Sequence, residues 1–219
     1  MKLFRRKQCL RLSLAAWVLL LLMLGATGGG VIINLHGFLA PNHALGEEML
    51  VIEGWLSDAA LLEAKKIANE GGYRFVVTTG GPLAQGGFLS AYQTYAELSF
   101  ASLQKIGLSK PVFPVPAPKV LKDRTYHSAL ALKDWLDEVH PEVRRFDLLT
   151  DGPHARRSRL LFSMAFGPEF EIGIISLPPG SYDPSRWWLS SAGVRTLIGE
   201  TIAWLYARFV FSAEGSKPV

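Results

Sequence analysis

Hydrophobic residues are most concentrated near the N-terminus, where an almost wholly apolar run extends from Leu12 to Leu24. No Asp, Glu, Lys or Arg occurs from Leu12 through Gly46, a window of 35 residues. Five basic residues precede the run, with no acidic residue among them: Lys2, Arg5, Arg6, Lys7 and Arg11. This pattern predicts a basic leader and a signal-anchor transmembrane helix within residues 1–35, in contact with the lipid bilayer through residues 12–35.

The fate of this segment after export has two possible outcomes. The small residues Ala26, Thr27 and Gly28 have the character of a cleavage site, and cleavage would give a secreted domain. The apolar residues within 31–35 instead extend the stretch to the length of a span, and we favour a retained anchor. By the positive-inside rule the basic leader stays in the cytoplasm. The expected product is a single-pass membrane protein with an extracytoplasmic domain.

Beyond a predicted linker at residues 36–48, apolar β-rich runs alternate with helical patterns in a domain spanning residues 49–219. Strands are predicted at Met49–Glu53, Tyr73–Thr79, Val112–Val115, Phe146–Thr150 and Phe170–Leu177. Helices are predicted between them at Asp58–Asn69, Leu89–Ile106, Thr125–Val139 and Pro153–Phe166. Strands that are apolar on both faces and alternate with helices are typical of a parallel sheet covered on two sides. The predicted fold class is α/β, a Rossmann-like three-layer parallel sheet with an N-terminal membrane-anchor helix.

A last helix is predicted from Ser190 to Phe211. Apolar residues recur there at spacings of three and four: Val194, Ile198, Ile202, Leu205 and Phe209. Charged residues between them make the pattern amphipathic, which favours a helix docked on the domain over a second membrane span. Trp187 and Trp188 precede this helix and fit either packing within the domain or contact with the membrane interface.

Composition and charge narrow the classes of function. The 219 residues are 49% hydrophobic and 19% charged, which excludes a disordered chain. The net charge of +4 would suggest a nucleic-acid partner, but five of the 23 Lys and Arg residues precede residue 12, and the other 18 face 19 Asp and Glu. No nucleic acid is therefore expected as a partner. Cys9, the only cysteine, precedes the apolar run, so no disulfide is expected in the exported domain.

Ligands of open parallel sheets bind at the carboxyl ends of the strands, and four predicted loops at that edge carry unusual residues. They are Glu53–Trp55, Thr78–Gly81, Asp123–Thr125 and Thr150–His154. Gly80 and Gly81 let backbone amides approach a ligand, although the Lys of a P-loop is missing. Helical geometry places Thr125 and Ser128 inward and His127 outward. Thr125 is therefore a candidate hydroxyl ligand, although a Thr at a helix start is also a common cap.

The fourth loop is the most informative, because the helix that it opens begins with several cations, whereas a helix N-terminus favours anions. Helical geometry places His154 and Arg157 inward, while Arg156 and Arg159 point away and are expected to be solvated. We expect His154 and Arg157 to line a cleft in which exposed amides and a guanidinium hold a phosphate or carboxylate. In the alternative, Arg157 pairs with a core acid such as Glu53 and His154 merely caps a turn.

Other kinds of chemistry find little support in the sequence. The five His residues, at positions 36, 43, 127, 140 and 154, show no ligand spacing, and no Gly-x-Ser-x-Gly elbow occurs. We therefore expect no metal and no cofactor. Analogy with the fold alone suggests a protein that binds a nucleotide or S-adenosylmethionine. The predicted export of the domain disfavours this function.

Three segments carry a resemblance to a known family: Thr79-Gly80-Gly81, Thr125-Tyr126-His127-Ser128-Ala129 and Thr150-Asp151-Gly152-Pro153-His154-Ala155-Arg156-Arg157-Ser158. At these segments the chain resembles the SanA/ElyC/YdcF-like family of bacterial proteins. That family has a Gly-rich turn after the second strand, a Thr-x-Glu-Asn-Ala helix start and a Thr-Ser-x-x-His-x-x-Arg strand-to-helix turn. The resemblance covers roughly residues 50–177, and it carries over Gly80, Gly81, Thr125, His154 and Arg157.

The sequence departs from this family at three positions. His127 and Ser128 stand where the family has Glu and Asn, and Asp151 replaces its Ser. Any acid–base work of that family Glu is here either lost or moved to His127. The resemblance implies a Rossmann-like fold, a single anchor in the bacterial inner (plasma) membrane, and a link to envelope integrity, peptidoglycan and its lipid carriers. It implies no particular reaction.

The expected function is an anchored envelope protein whose cleft binds a phosphorylated or otherwise anionic ligand, such as a cell-wall precursor linked to a lipid carrier. The candidate binding residues are Gly80, Gly81, Thr125, Thr150 and Arg157. His154 is the candidate general acid or base, with Glu53 or Asp151 orienting it. The alternative is a non-catalytic envelope interaction or scaffold protein that docks through its Trp-rich terminal helix.

Overall fold

The computed structural model describes residues 13–46 and 48–213, so that the basic leader, Cys9 and Leu12 lie outside the described residues. The chain divides into two compact units, one ending at residue 35 and the other beginning at residue 36. Helix α1 (Leu14–Leu39) has 26 residues. Its length of about 39 Å exceeds the hydrocarbon core of a bilayer. Within the described ranges it is the one helix long and apolar enough to cross a membrane.

The described residues of the second unit form five strands and five further helices of more than ten residues. The strands are β1 (Met49–Glu53), β2 (Phe75–Gly80), β3 (Val112–Pro116), β4 (Arg145–Asp151) and β5 (Glu171–Leu177). The helices are α2 (Asp58–Glu70), α3 (Tyr95–Lys105), α4 (Arg124–Val139), α5 (Ala155–Phe166) and α6 (Ser191–Phe209). Two short 3₁₀ segments, Gly152–His154 and Pro184–Leu189, precede α5 and α6.

The strands form one parallel sheet in the order β3-β2-β1-β4-β5. The chain first builds outward from β1 to β3 and then returns to the other side of β1. The connections therefore diverge between β1 and β4, and this switch point is where open α/β sheets bind ligands. The predicted α/β class and the Rossmann-like three-layer arrangement are confirmed.

Alternating side chains of the buried strands supply two cores, one on each face of the sheet. On one face Met49 and Val51 of β1 pack with apolar residues of α4 and α5. On the other face Leu50 and Ile52 pack with apolar residues of α2 and α3. Continuing this alternation, Glu53 points to the α4 and α5 face, where a carboxylate is unexpected unless it has partners.

The segment before β1, predicted as a linker, belongs to the second unit and makes defined contacts with its sheet. His43 forms an antiparallel bridge to Ile174 of β5. The backbone amides of Leu45 and Gly46 each donate to the carboxylate of Asp147, at 2.8 Å. Asp147 is fully buried and accepts a third hydrogen bond from the Tyr73 hydroxyl at 2.7 Å. This buried carboxylate thus fixes the chain where it enters the sheet.

The predicted start of the helix at Leu89 is wrong, because α3 begins at Tyr95. Thr94 accepts a hydrogen bond from the Glu97 amide, while the Glu97 carboxylate accepts one from the Thr94 amide. This reciprocal capping box ends any helical continuation towards Leu89. A bridge between Pro82 and Thr94 closes the loop that precedes it.

Helix α6 docks on the domain as predicted, but not through its apolar stripe. The buried residues of α6 are Gly193, Leu197 and Ala207. In contrast, Ile202 and Phe209 of the stripe are 63% and 74% exposed. Leu197 supplies the buried apolar side chain of this face, and Gly193 and Ala207 allow close approach to the domain.

Candidate functional site

A cleft of about 830 Å³ opens at the carboxyl edge of the sheet, around the switch point between β1 and β4. All four loops singled out from the sequence contribute to it. Seven of the eight predicted site residues line it: Glu53, Gly80, Gly81, Thr125, Asp151, His154 and Arg157. The eighth, Thr150, is fully buried behind the wall of the cleft, where it supports Glu53.

Glu53 ends β1 with a carboxylate that is almost completely buried. One of its oxygens, Oε2, accepts hydrogen bonds from the hydroxyls of Thr150 and Ser158, the latter at 3.0 Å. The same oxygen lies 3.7 Å from Nε2 of His154. Two hydroxyl donors on adjacent elements therefore compensate the burial of Glu53 and fix its direction towards the imidazole.

His154 lies at the start of α5, with its ring held on three sides. Its Nδ1 is 3.0 Å from Oε1 of Glu200 and 2.9 Å from a terminal nitrogen of Arg157. The indole of Trp55 meets the imidazole edge to face, with ring centroids 4.8 Å apart. The charged ring can donate from Nδ1 to Glu200, and the neutral ring can accept there from Arg157. Both protonation states of His154 therefore have a partner in place.

Arg157 pairs with Glu200 of α6 and not with Glu53. Its Nε donates to Oε2 of Glu200 at 2.9 Å and a terminal nitrogen donates to Oε1 at 3.2 Å, a bidentate arrangement. Burial alone would raise the pKa of Glu200, but the hydrogen bonds and positive charges of His154 and Arg157 lower it to about 2. The alternative in which Arg157 pairs with a core acid is therefore realised, but the acid is Glu200 and not Glu53.

Asp151 lies on the floor of the cleft beside the imidazole. Its burial raises its pKa, while the nearby charge of His154 acts in the opposite direction. It makes no direct ion pair with His154; Glu200 occupies that place instead. Glu200, and not Asp151, therefore holds the Nδ1 side of the ring.

The opposite wall of the cleft is formed by the start of α4. Asp123 precedes this helix with a left-handed backbone (φ 57°), and its side chain does not cap the first turn. The exposed cations Lys122 and Arg124 flank it, and all three residues line the cleft together with Thr125. Positive side chains and the partial positive charge of a helix N-terminus coincide on this wall.

Gly80 brings the end of β2 close to the start of α3. A Cβ atom at this position would lie 2.9 Å from the Cβ of Tyr95, closer than packed carbons approach. Gly80 thus lets β2 and α3 approach each other more closely than a side chain would allow.

Two predictions about neighbouring side chains are wrong. His127, expected to point outward, is 3% exposed. The helix α4 is covered on all sides at this point, since Tyr126, Ser128 and Ala129 are buried as well. Arg156, expected to be solvated, is half-buried and its guanidinium lies 4.0 Å from the centroid of the Phe38 ring. Arg159 is exposed as expected, although its Nε donates to the Ile172 carbonyl at 2.9 Å.

Glu200 and Ser158 are site residues that were not predicted from the sequence. Glu200 is the only acidic residue in α6, and at 100° per residue it falls on the same side as Gly193 and Ala207. A lone acid among small, docking residues is a signal for a buried partner. Ser158 follows His154 by four residues and so shares its inward face.

No group of three or more His, Cys, Asp or Glu side chains suited to a metal ion occurs within residues 13–46 and 48–213. Comparison of the chain with protein-family models, curated proteins and solved structures gives no match.

Proposed function

We propose that the chain is a membrane-anchored envelope protein whose cleft binds a phosphorylated or otherwise anionic ligand. The observation that carries this proposal is the cleft of about 830 Å³, which has His154 on one wall and the cationic start of α4 on the other. The apolar helix α1 supports anchoring. The resemblance to the SanA/ElyC/YdcF-like family supports a cell-wall precursor or lipid-carrier phosphate as the ligand. The N-terminus would then be cytoplasmic and the domain extracytoplasmic.

The anion would bind at the α4 wall and not at Arg157. The guanidinium of Arg157 is already paired with Glu200 through two hydrogen bonds. Lys122 and Arg124 are exposed at the cleft, and the helix that they flank has no side-chain cap. A phosphate at this position would accept hydrogen bonds from the first-turn amides and from the Thr125 hydroxyl.

His154 is the group placed to transfer a proton during a reaction of the ligand. Glu200 and Arg157 hold Nδ1, and Nε2 lies 3.7 Å from Glu53 within the cleft. Arg157 acts in this proposal as a positioning residue, because it fixes the Glu200 carboxylate against the ring. A general acid–base role requires a histidine that can hold and release a proton, and partners exist for both of its states.

The test is a binding titration of the full chain in a mild detergent, with farnesyl phosphate as the probe and farnesol as the uncharged comparison. We expect farnesyl phosphate to bind and farnesol to bind far more weakly. The double variant Lys122→Gln/Arg124→Gln should lose about thirtyfold or more in affinity, since each of the two charge-assisted hydrogen bonds contributes about 1 kcal/mol or more. The double variant Lys66→Gln/Arg74→Gln removes two exposed cations elsewhere and should bind normally. Equal affinity in both double variants would refute the α4 wall as the anion site.

A second candidate function is a non-catalytic envelope interaction or scaffold protein. The observation that favours it is the exposed apolar stripe of α6, with Ile202 and Phe209 more than 60% exposed. Trp188 is 39% exposed, whereas Trp187 is buried and serves the core. Under this alternative Trp188→Ala impairs complex formation in pull-down experiments from membranes, and His154→Ala has no effect. The reverse outcome favours the ligand-binding cleft.

A further inference from the structure

A second hollow, of about 300 Å³, lies between α5, α6 and the segment that follows α1. Three arginines line it, Arg156 and Arg159 from α5 and Arg208 from α6. None of them forms an ion pair with a carboxylate of the described residues. Three guanidinium groups around one hollow without an acidic partner leave a local excess of positive charge.

The contacts of these arginines position them without neutralising them. The guanidinium of Arg156 lies over the Phe38 ring, and its Nε donates to the Phe38 carbonyl. The Nε of Arg159 donates to the Ile172 carbonyl at 2.9 Å. Carbonyl and ring contacts hold the side chains of Arg156 and Arg159 in place, while no carboxylate within residues 13–46 and 48–213 compensates their charges. Partial burial, followed by the positive charge of Arg159, lowers the pKa of Arg156.

The hollow is lined by a residue that lies close in sequence to the end of the apolar stretch. Pro41 lines it and follows residue 35 by only six positions. Phe38 packs against Trp204 of α6, which also lines the hollow, with ring centroids 5.0 Å apart. Chain connectivity therefore keeps this hollow near the point where a membrane span formed by α1 would end.

An apolar surface borders the hollow. Leu205 is 43% exposed and lies about 60° around α6 from Arg208, at 100° per residue. Ile198, Ile202 and Phe209 continue this exposed stripe along the helix. Cations beside exposed apolar side chains match a lipid, which presents a charged headgroup and acyl chains together.

We propose that this second hollow binds the phosphate group of a membrane-lipid headgroup, with Arg156, Arg159 and Arg208 as its ligands. This site is separate from the cleft at the sheet edge. The choice of a lipid as the source of the phosphate rests on the proposal that α1 is a membrane anchor. A bound phosphate would join α5 to α6 through charge-assisted hydrogen bonds from both helices.

The proposal is tested on the detergent-solubilised full chain by titration with dioctanoyl phosphatidylglycerol. Parallel titrations use inorganic phosphate and dioctanoylglycerol, which lacks the phosphate. We expect the phospholipid to bind more tightly than inorganic phosphate, and dioctanoylglycerol to bind least. The double variant Arg159→Gln/Arg208→Gln should weaken phospholipid binding about tenfold or more. It retains Arg156 and its contacts with Phe38, and a thermal unfolding curve verifies that the variant is folded.

The matched control is Arg186→Gln/Arg195→Gln, which removes two exposed arginines that do not line the hollow. It should bind the phospholipid like the unmodified chain. Equal loss in both double variants would overturn the site, because net charge alone would then explain binding. Inorganic phosphate binding as tightly as the phospholipid would overturn the lipid as ligand.

Failure of the proposed lipid site can be distinguished from failure of the proposed anion site in the cleft. The Lys122→Gln/Arg124→Gln variant should keep its affinity for the phospholipid, and the Arg159→Gln/Arg208→Gln variant should keep the α4-dependent binding of farnesyl phosphate. If instead each variant weakens both ligands equally, the assignment of two separate sites is wrong.

Discussion

Nδ1 of His154 lies 3.0 Å from Oε1 of Glu200, although the two residues are 46 positions apart in the chain. This contact joins the start of α5 to the middle of α6, the last helix of the domain. The position of the candidate acid–base residue therefore depends on how α6 docks. Four predictions test this and related features of the structure.

The first prediction concerns the pH dependence of stability. The pKa of Glu200 is lowered in the folded state from its ordinary 4.5 to about 2. Its stabilising effect is therefore fully present above pH 4.5 and is lost as the pH falls towards 2. Lowering the pKa from 4.5 to about 2 corresponds to about 3 kcal/mol in the free energy of unfolding, which is an upper value for this partly exposed group.

The variant Glu200→Gln should have a lower free energy of unfolding than the unmodified chain at pH 7. This difference should shrink as the pH is lowered from 4.5 to 2. Urea unfolding followed by tryptophan fluorescence at several pH values measures it. The exposed control Glu70→Gln should differ little from the unmodified chain at any of them. A difference that is constant with pH would contradict the assigned ion pairs.

The second prediction concerns the hydroxyl donors to Glu53. Thr150→Val keeps the shape of the side chain but removes one of the two hydroxyls that bind the buried carboxylate. We expect a loss of about 1–3 kcal/mol in the free energy of unfolding, because a buried charge loses a hydrogen bond. Thr201→Val serves as control, since the hydroxyl of Thr201 bonds only to a carbonyl of its own helix. Equal losses in the two variants would show that Thr150 has no special role.

The third prediction concerns Gly173, whose Cα faces the buried Asp147. A Cβ at this position would lie 1.8 Å from an Asp147 oxygen, so Gly173→Ala must displace the carboxylate from the Leu45 and Gly46 amides. We expect a loss of about 3 kcal/mol or more in thermal or urea unfolding. Gly180→Ala is the control, because no atom lies within 4 Å of its added Cβ. A stable Gly173→Ala variant would contradict the close contact between Gly173 of β5 and the Asp147 carboxylate of β4.

The fourth prediction concerns the proposed anchor. The unmodified chain should stay in the membrane pellet after alkaline carbonate extraction, at the mass of the uncleaved chain. Leu19→Lys/Leu22→Lys should release it, because each Lys at the centre of a span costs about 3 kcal/mol. Leu62→Lys/Leu189→Lys changes two exposed leucines of the second unit and should leave the chain in the pellet. A shortened product found in the soluble fraction would instead support cleavage and secretion.

The parallel sheet was predictable because its signal is local and redundant. Every residue of β1 and β2 is buried, and such strands read as continuous apolar runs in the sequence. The edge of the sheet that carries the site follows from the strand order, since the loops after β1 and β4 must meet there. The sequence alone therefore predicts Glu53 and His154 in one cleft.

The partners of these residues were not predictable in the same way. Glu200 reaches His154 and Arg157 because α6 docks through the face that carries Gly193, Leu197 and Ala207, whereas the periodicity of most of its large apolar side chains pointed to another face. Similarly, the capping box of Thr94 and Glu97 decided where α3 begins, although the pattern of apolar residues ran further towards Leu89. Long-range docking and local hydrogen bonding each overrode hydrophobic periodicity.

The hydrogen bonds from the Leu45 and Gly46 amides to Asp147 also bear on the mechanics of the chain. If α1 is held in a bilayer, any tension along the chain reaches the domain first at Phe38, which contacts Trp204 and Arg156. The bridge from His43 to Ile174 and the two amide bonds to Asp147 would carry the load that remains. Less of that force would reach strand β1, which supplies Glu53. Movements of α1 would therefore change the geometry of the cleft little.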